Sequence, residues 1–242
     1  MHTHTTISQN LAQSYDAIAH KFHHTRKRHR PEFDRILSQL PKNQHITIVE
    51  LWCGDGRLYG FLRDHIDCTY IWVDISHELI LLARTQYPQA TWICDDMMNY
   101  MSGVEQQSCD VIIMIASYNH IYGPARAQLM GLLYRGLEYG GKLIMTNRSR
   151  STRFIAQYRK QRVISRMHFW QRNDILIPFR VWDTIVRRYY HMFTRNELLS
   201  LHRQAWFYVH IFWYTDHSWS LIQHRRTAKN IFTCAIKSIG KS

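Results

Sequence analysis

The sequence predicts a doubly wound α/β fold, a mostly parallel sheet with helices on both faces. Three features predict it. From residue 45 to residue 147 short apolar runs alternate with helical stretches, the pattern of right-handed βαβ units. The first run ends in a glycine-bearing turn, Cys53-Gly-Asp-Gly56, that opens a helix. The second ends in an acid, Asp74, 18 residues beyond Gly56. That is about the spacing at which a carboxylate accepts both ribose hydroxyls of a nucleoside bound over the turn. Either feature alone has a plainer reading, an ordinary tight turn or a helix cap; together in a βαβ frame they favour a nucleoside site.

The elements follow in order. Leu11, Tyr15, Ile18, Ala19 and Phe22 recur at helical spacing over 8–23, and a second helix begins after Pro31 and ends at Pro41. Residues 45–51 are a β-branched run suited to a strand buried on both faces. A helix over 57–65 follows, then strand 69–74, helix 77–87, strands 91–94 and 110–116, helix 125–138 and strand 142–147. The segment 148–194 breaks this rhythm; rich in Arg, Gln and aromatics, it reads as a basic, partly helical, lid-like insertion. Thr194 with Glu197 three residues on forms a capping box for a helix to Arg203, and two last strands fall near 206–214 and 230–237. The chain thus reads as one domain over 1–242: N-terminal helices (1–44), a nucleoside-binding core (45–147), the insertion (148–194), and a C-terminal helix and strands (195–242).

At 242 residues and 45% hydrophobic content the chain can bury a full core. Lysine and arginine number 31 against 18 acids, a net charge of +13, which favours a polyanionic partner such as RNA. Five scattered cysteines without a Cys-x-x-Cys argue against a disulfide framework or a cysteine-rich zinc site. His20, His23, His24 and His29 stand among Lys21, Arg26, Lys27, Arg28 and Arg30, a solvated basic helix end rather than a metal site. The polar start and the lack of any apolar run near twenty residues predict a soluble, cytoplasmic protein without a membrane segment.

Glu50 to Gly56, Asp74, Cys94-Asp-Asp-Met97, Cys109–Ala116 and Tyr139–Met145 stand in the order and spacing of the class I S-adenosylmethionine (SAM)-dependent methyltransferases, which the chain resembles over 12–147 and 230–237. The resemblance implies a Rossmann-like methyltransferase sheet with the basic insertion before its last strands, and SAM as cofactor. By it, Glu50, Trp52, Cys53, Gly54, Asp55 and Gly56 form the first motif. Asp74 with Ile75 holds the ribose, Asp96 with Met97 faces the adenine (Asp95 being the alternative), and Ile115 lies at the end of the fourth strand.

A narrower resemblance rests on Ser14–Phe22 with Thr25-Arg26, Ile115–His120, Asn173–Phe179 and Arg188–Arg195, which look like the tRNA wobble-uridine carboxymethyl methyltransferases and their bacterial relatives. Those enzymes esterify the carboxylate of 5-carboxymethyluridine, and some eukaryotic members need a small zinc-binding activator subunit. The resemblance implies that Tyr15 closes over the methionine moiety while Arg26, His120, Arg188 and His191 face the substrate. The chemistry suits these residue types: a carboxylate is ionised near neutral pH and needs no strong base, so an arginine clamp and a histidine hydrogen-bond donor suffice to position it. The plainer reading is that Arg188 and His191 anchor the insertion to the sheet. Arg148, Arg150, Arg153, Arg159, Lys160, Arg162, Arg166 and Arg172, interleaved with aromatics, fit either a phosphate-tracking surface or a solvated helix over the site.

The chain departs from the family at glycine positions. Trp52, Trp72 and Trp206 stand where relatives commonly have glycine, and Asn119 where the eukaryotic wobble enzymes tend to have a second histidine. Only 10 residues are glycine and 8 are tryptophan, against a typical glycine content of about 7%. Some of these tryptophans read as UGA codons that the source organism decodes as glycine. The expected function is RNA methylation at a modified wobble uridine in tRNA, with tRNA or other RNA as partner and no DNA. A small-molecule O- or N-methyltransferase and an inactive RNA-binding homologue are the alternatives.

Overall fold

The structure, a computed structural model, describes residues 4–25, 30–158, 173–181, 184–216, 218–223 and 225–238. Its central strands are the continuous apolar runs: β1 (Ile46–Leu51) and β4 (Cys109–Ile115) lie side by side and almost wholly buried, as parallel strands covered on both faces are. β2 (Cys68–Asp74) and β3 (Trp92–Cys94) extend the sheet on one side, and β5 (Leu137–Arg148) on the other, all parallel. β10 (Asn230–Lys237) then runs antiparallel to β5 and to β8 (Phe207–Thr215), giving the order β3-β2-β1-β4-β5-β10-β8, with the short β9 (Leu221–Ile222) last. β9 pairs with β8 only at Tyr214 and Thr215, so the outer edge of β8 from Phe207 to Trp213 has no strand beside it among the described residues.

Alternation along the strands sends side chains to two cores. Val49, Leu51, Ile112, Met114, Leu143 and Met145 point to one face, where α6 (Met97–Gly103), α7 (Ala125–Gly136) and α9 (Arg195–Gln204) pack. Ile48, Val111, Ile113 and Ile144 point to the other, against α3 (Pro31–Gln39), α4 (Arg57–Leu62) and α5 (His77–Gln86). The doubly wound expectation therefore holds, and the strand order reverses between β1 and β4, the place where such sheets bind ligands.

Three local expectations need correction. The helix expected over 8–23 is two: α1 (His4–Asp16) and α2 (Ala19–His24). The chain breaks where the Asp16 carboxylate turns aside to accept hydrogen bonds from Ser76 Oγ (2.6 Å) and the Glu78 amide (3.1 Å), capping α5. The insertion holds α8 (Thr152–Gln157) and an antiparallel hairpin, β6 (Asp174–Val181) with β7 (Thr184–His191). Pro178 conceals the hairpin, since proline breaks a strand reading; a two-stranded ribbon tolerates it because each strand is an edge. α6 and β9 were not anticipated. The capping box on Thr194 and Glu197 is present. No described helix is long and apolar enough to cross a membrane.

Candidate active site

The turn after β1 is built from unusual backbone. Trp52 has φ 58° and its amide donates to the Val73 carbonyl (2.6 Å), so the chain leaves the sheet in the left-handed region. Gly54 (φ 63°) and Gly56 (φ 78°) continue there, a conformation that glycine adopts without penalty. A side-chain carbon at Gly54 would meet only the Phe22 ring, at 3.7 Å, whereas one at Gly56 would strike Trp92 at 2.5 Å. Gly54 thus opens on the cavity and Gly56 packs the helix onto the sheet.

Asp74, at the end of β2, accepts hydrogen bonds from the Gly54 amide (2.7 Å) and the Ser76 amide (2.9 Å). Each carboxylate oxygen has a second lone pair to offer, and Asp74 lines the cavity. Burial pushes its pKa up to about 6. Glu50, also on the wall, accepts from Tyr70 Oη (2.9 Å) and is pushed up to about 8, again by burial.

The cavity, about 350 Å³, lies over the carboxyl ends of β1, β2 and β4, within the range of small-ligand sites. Of the residues singled out in the sequence, Tyr15, Glu50, Trp52, Cys53, Gly54, Asp74, Ile115, His120 and Arg188 line it. Asp55, Gly56, Ile75, Asp96, Met97 and His191 do not. Asp55 is buried between His23 (2.9 Å) and Arg57 (3.0 Å) and ties α2 to the turn. Asp96 caps α6 through the Met98 amide and accepts from Ser8 Oγ of α1, both at 2.8 Å; burial raises its pKa, but hydrogen bonds from His4 and Ser8 outweigh that and hold it below the ordinary value. Met97 is fully buried in the core. Arg26 lies outside the described residues.

His191 is the clearest departure. Its Nδ1 faces Asp174 Oδ1 and its Nε2 faces Glu197 Oε1, each at 2.6 Å. Arg126 joins the same cluster, reaching Asp174 (3.3 Å) and Tyr189 Oη (2.7 Å). With both ring nitrogens committed, His191 clasps β6, β7 and α9 together instead of facing the cavity.

His120 closes a turn after β4 and is 1% exposed. Its Nδ1 lies 2.6 Å from the Tyr189 carbonyl, which only accepts, so Nδ1 carries the proton; Nε2 then accepts from Tyr15 Oη at 3.0 Å. Burial drives its pKa down to about 3. The donor role expected of His120 is therefore corrected: its one N–H is spent on the backbone, and toward the cavity it is a neutral acceptor. Arg188 donates through Nη1 to Tyr15 Oη (3.2 Å), while its Nε is buried without a partner. The rings of Phe179, Tyr15 and Tyr190 lie 5.0, 5.4 and 5.5 Å from its guanidinium carbon, and no described carboxylate forms an ion pair with it. Asn119 is structural: its Oδ1 accepts from the Arg148 amide (2.6 Å) and holds the turn to β5.

Sequence reasoning missed Arg30, Phe33, Trp219, Lys229 and Asn230 on the cavity wall. They come from separate segments that only the fold gathers, and no local motif marks them.

Residues 48–141 match the family model described as a methyltransferase domain. The fold is that of the SAM-dependent methyltransferases. A SAM-dependent methyltransferase of Methanosarcina mazei superposes with a TM-score of 0.69 at 20% identity, over 85% of this chain and 97% of that one. A Haloferax volcanii methyltransferase solved in complex with the Trm112 methyltransferase activator gives 0.69 at 15% identity, over 96% and 99%. In sequence, the malonyl-[acyl-carrier protein] O-methyltransferase of Marinomonas sp. is 22% identical over 152 residues. This methyltransferase-fold chain spans about half the length of that curated relative, 54%.

Proposed function

We propose that the protein is a SAM-dependent methyltransferase that esterifies a carboxylate, and that its acceptor is the carboxymethyl group of a modified wobble uridine in tRNA. The observation that carries the carboxylate is Arg188: a buried cation with an unpartnered Nε, no carboxylate ion-paired with it among the described residues, and a place on the wall of the cavity that Asp74 and Gly54 also line. An uncompensated buried charge is expensive, and an anionic ligand removes that cost.

The residues fit SAM at its nucleoside end. Gly54 leaves room for close backbone approach, and Asp74 would hold the ribose hydroxyls. At the methionine end the Trp52 indole narrows the site: its ring lies 5.0 Å from His120 and 6.3 Å from Tyr15, and its Nε1 is buried without a partner. Bound SAM supplies an electrophilic methyl on its sulfonium. The chain's residues have only to position the acceptor: Arg188 holds the carboxylate, Tyr15 is oriented by donating to His120, and no base is required because a carboxylate is already ionised. With its basicity so lowered, His120 is a poor base for taking the proton of a hydroxyl acceptor, which a carboxylate does not require.

The +13 charge supports RNA as the bearer of the acceptor, and the activator-bound Haloferax neighbour supports a small activator subunit as partner. The Marinomonas relative, named for O-methylation of malonyl-[acyl-carrier protein], supports a non-nucleotide acceptor as the second reading. Calorimetry with SAM on the protein, on Trp52→Gly and on Asp74→Ala is the first test, followed by labelled-methyl transfer to bulk tRNA with and without an activator subunit. Binding that Asp74→Ala abolishes is the expected result. Failure of both the parent and Trp52→Gly to bind, while folded, sinks the cofactor assignment; label that enters only small acids favours the second reading.

A further inference from the structure

Among the described residues six other than glycine have positive φ, and three of them are tryptophans: Trp52 (58°), Trp206 (64°) and Trp219 (66°). A bulky side chain is a strained outlier in this region, because its Cβ crowds the following carbonyl oxygen. The other described tryptophans, Trp72, Trp92 and Trp213, stand in regular strands.

The surrounding backbone shows what each of the three positions requires. The turn after β1 takes positive φ at every second residue, 52, 54 and 56, and the last two are Gly54 and Gly56. Trp206 directly follows Ala205, the C-cap of α9, and its amide donates to the Arg203 carbonyl (3.0 Å). That is the left-handed place after a helix that glycine usually takes. The Trp206 side chain is 75% exposed, so packing offers little in return for the strain. Trp219 ends the loop between β8 and β9. The Asp216 amide donates to the Ser220 carbonyl (3.1 Å), which leaves three residues in the loop, and the Trp219 amide donates to the Asp216 carbonyl (3.4 Å). The last residue of such a hairpin loop is left-handed, again a glycine position.

We propose that the chain as made in its source organism carries glycine at 52, 206 and 219, each encoded by UGA. A strand-to-helix turn, a helix end and a hairpin loop have nothing in common but the need for a left-handed residue, and one reassigned codon accounts for all three. The low glycine count, 10 in 242 residues, agrees. Two of the three positions line the cavity: the Trp52 ring lies 5.0 Å from that of His120, and the Trp219 ring 4.8 Å from the guanidinium carbon of Arg30. Glycine at both opens the cavity beyond about 350 Å³, beside His120 and beside Arg30. The consequence for SAM rests on the cofactor reading above; the glycine assignment does not.

The gene in the source organism should carry UGA at codons 52, 206 and 219, and mass spectrometry of the protein from its own cells should find glycine in the peptides that cover them. Stability tests the backbone argument separately. Trp52→Gly, Trp206→Gly and Trp219→Gly should each melt above the corresponding alanine variant, because only glycine escapes the Cβ penalty at positive φ. At Trp92 and Trp213 the order should reverse, since glycine weakens a strand interior. Trp206→Gly should also melt above the parent, as its exposed indole gives up little packing. UGG at these codons, tryptophan in the natural peptides, or alanine variants as stable as the glycine ones overturns the proposal. Calorimetry should find that Trp52→Gly binds SAM at least tenfold more tightly than the parent. Glycine in the natural peptides together with a folded Trp52→Gly protein that binds no SAM would uphold the glycine assignment and refute the cofactor reading.

Discussion

At the scale of single residues, the site works by fixing proton positions. His120 presents one lone pair to Tyr15 because its proton is held by the Tyr189 carbonyl, and burial keeps its pKa at about 3. The ring resonances of His120, followed by NMR, should therefore stay unchanged between about pH 8 and pH 5.5; a transition centred near 6.5, where an ordinary histidine titrates, would refute the neutral acceptor. Asp74 has a second duty beside the cavity, since its oxygens anchor the Gly54 and Ser76 amides. Asp74→Asn turns an NH2 group toward one of those amides. We expect it to cost about 1–3 kcal/mol of stability, read by urea denaturation, as well as SAM binding. Much of this was legible in the sequence: the glycine turn, Asp74 and His120 announce themselves by following strand ends. The place of His191 was not legible, because a histidine that clasps two acids carries the same letters as one that faces a ligand; only its neighbours differ.

At the scale of elements, the hairpin of β6 and β7 is what the sequence concealed, and it brings Arg188 to the cavity. Its attachment depends on the cluster of Arg126, Asp174, His191 and Glu197. His191→Ala removes a short hydrogen bond from each of two carboxylates that Arg126 still reaches, so it should destabilise the protein by roughly 1–3 kcal/mol. Protease cleavage within 174–191 at denaturant levels that leave the sheet intact would show the clasp directly. Thr194→Ala, which deletes the α9 cap but not the clasp, should cost only about 1 kcal/mol. The alternating core was readable because parallel strands and amphipathic helices have distinct periods. The hairpin was not, because arginines and a proline interrupt its alternation and its stability comes from partners distant in sequence.

At the scale of the whole molecule, charge and burial set the response to solution conditions. Glu50 holds its proton up to about pH 8 in the folded protein, while the unfolded chain releases it near the ordinary carboxylate value. The folded state thus binds the extra proton, and stability falls as pH rises through that window. The melting temperature should drop from about pH 5 to about pH 8 and level off above that, and Glu50→Gln should flatten part of the drop. If the +13 charge serves RNA, tRNA affinity should fall steeply and linearly in log–log plots against salt; a flat response refutes RNA contact. The bare edge of β8 carries a different consequence. Tyr208 is 61% exposed beside it, and an unpaired strand edge is a template for adding further strands. Concentrated solutions should therefore grow sheet-rich aggregates slowly, and Tyr208→Lys or His210→Lys, at the exposed positions of that strand, should extend their shelf life.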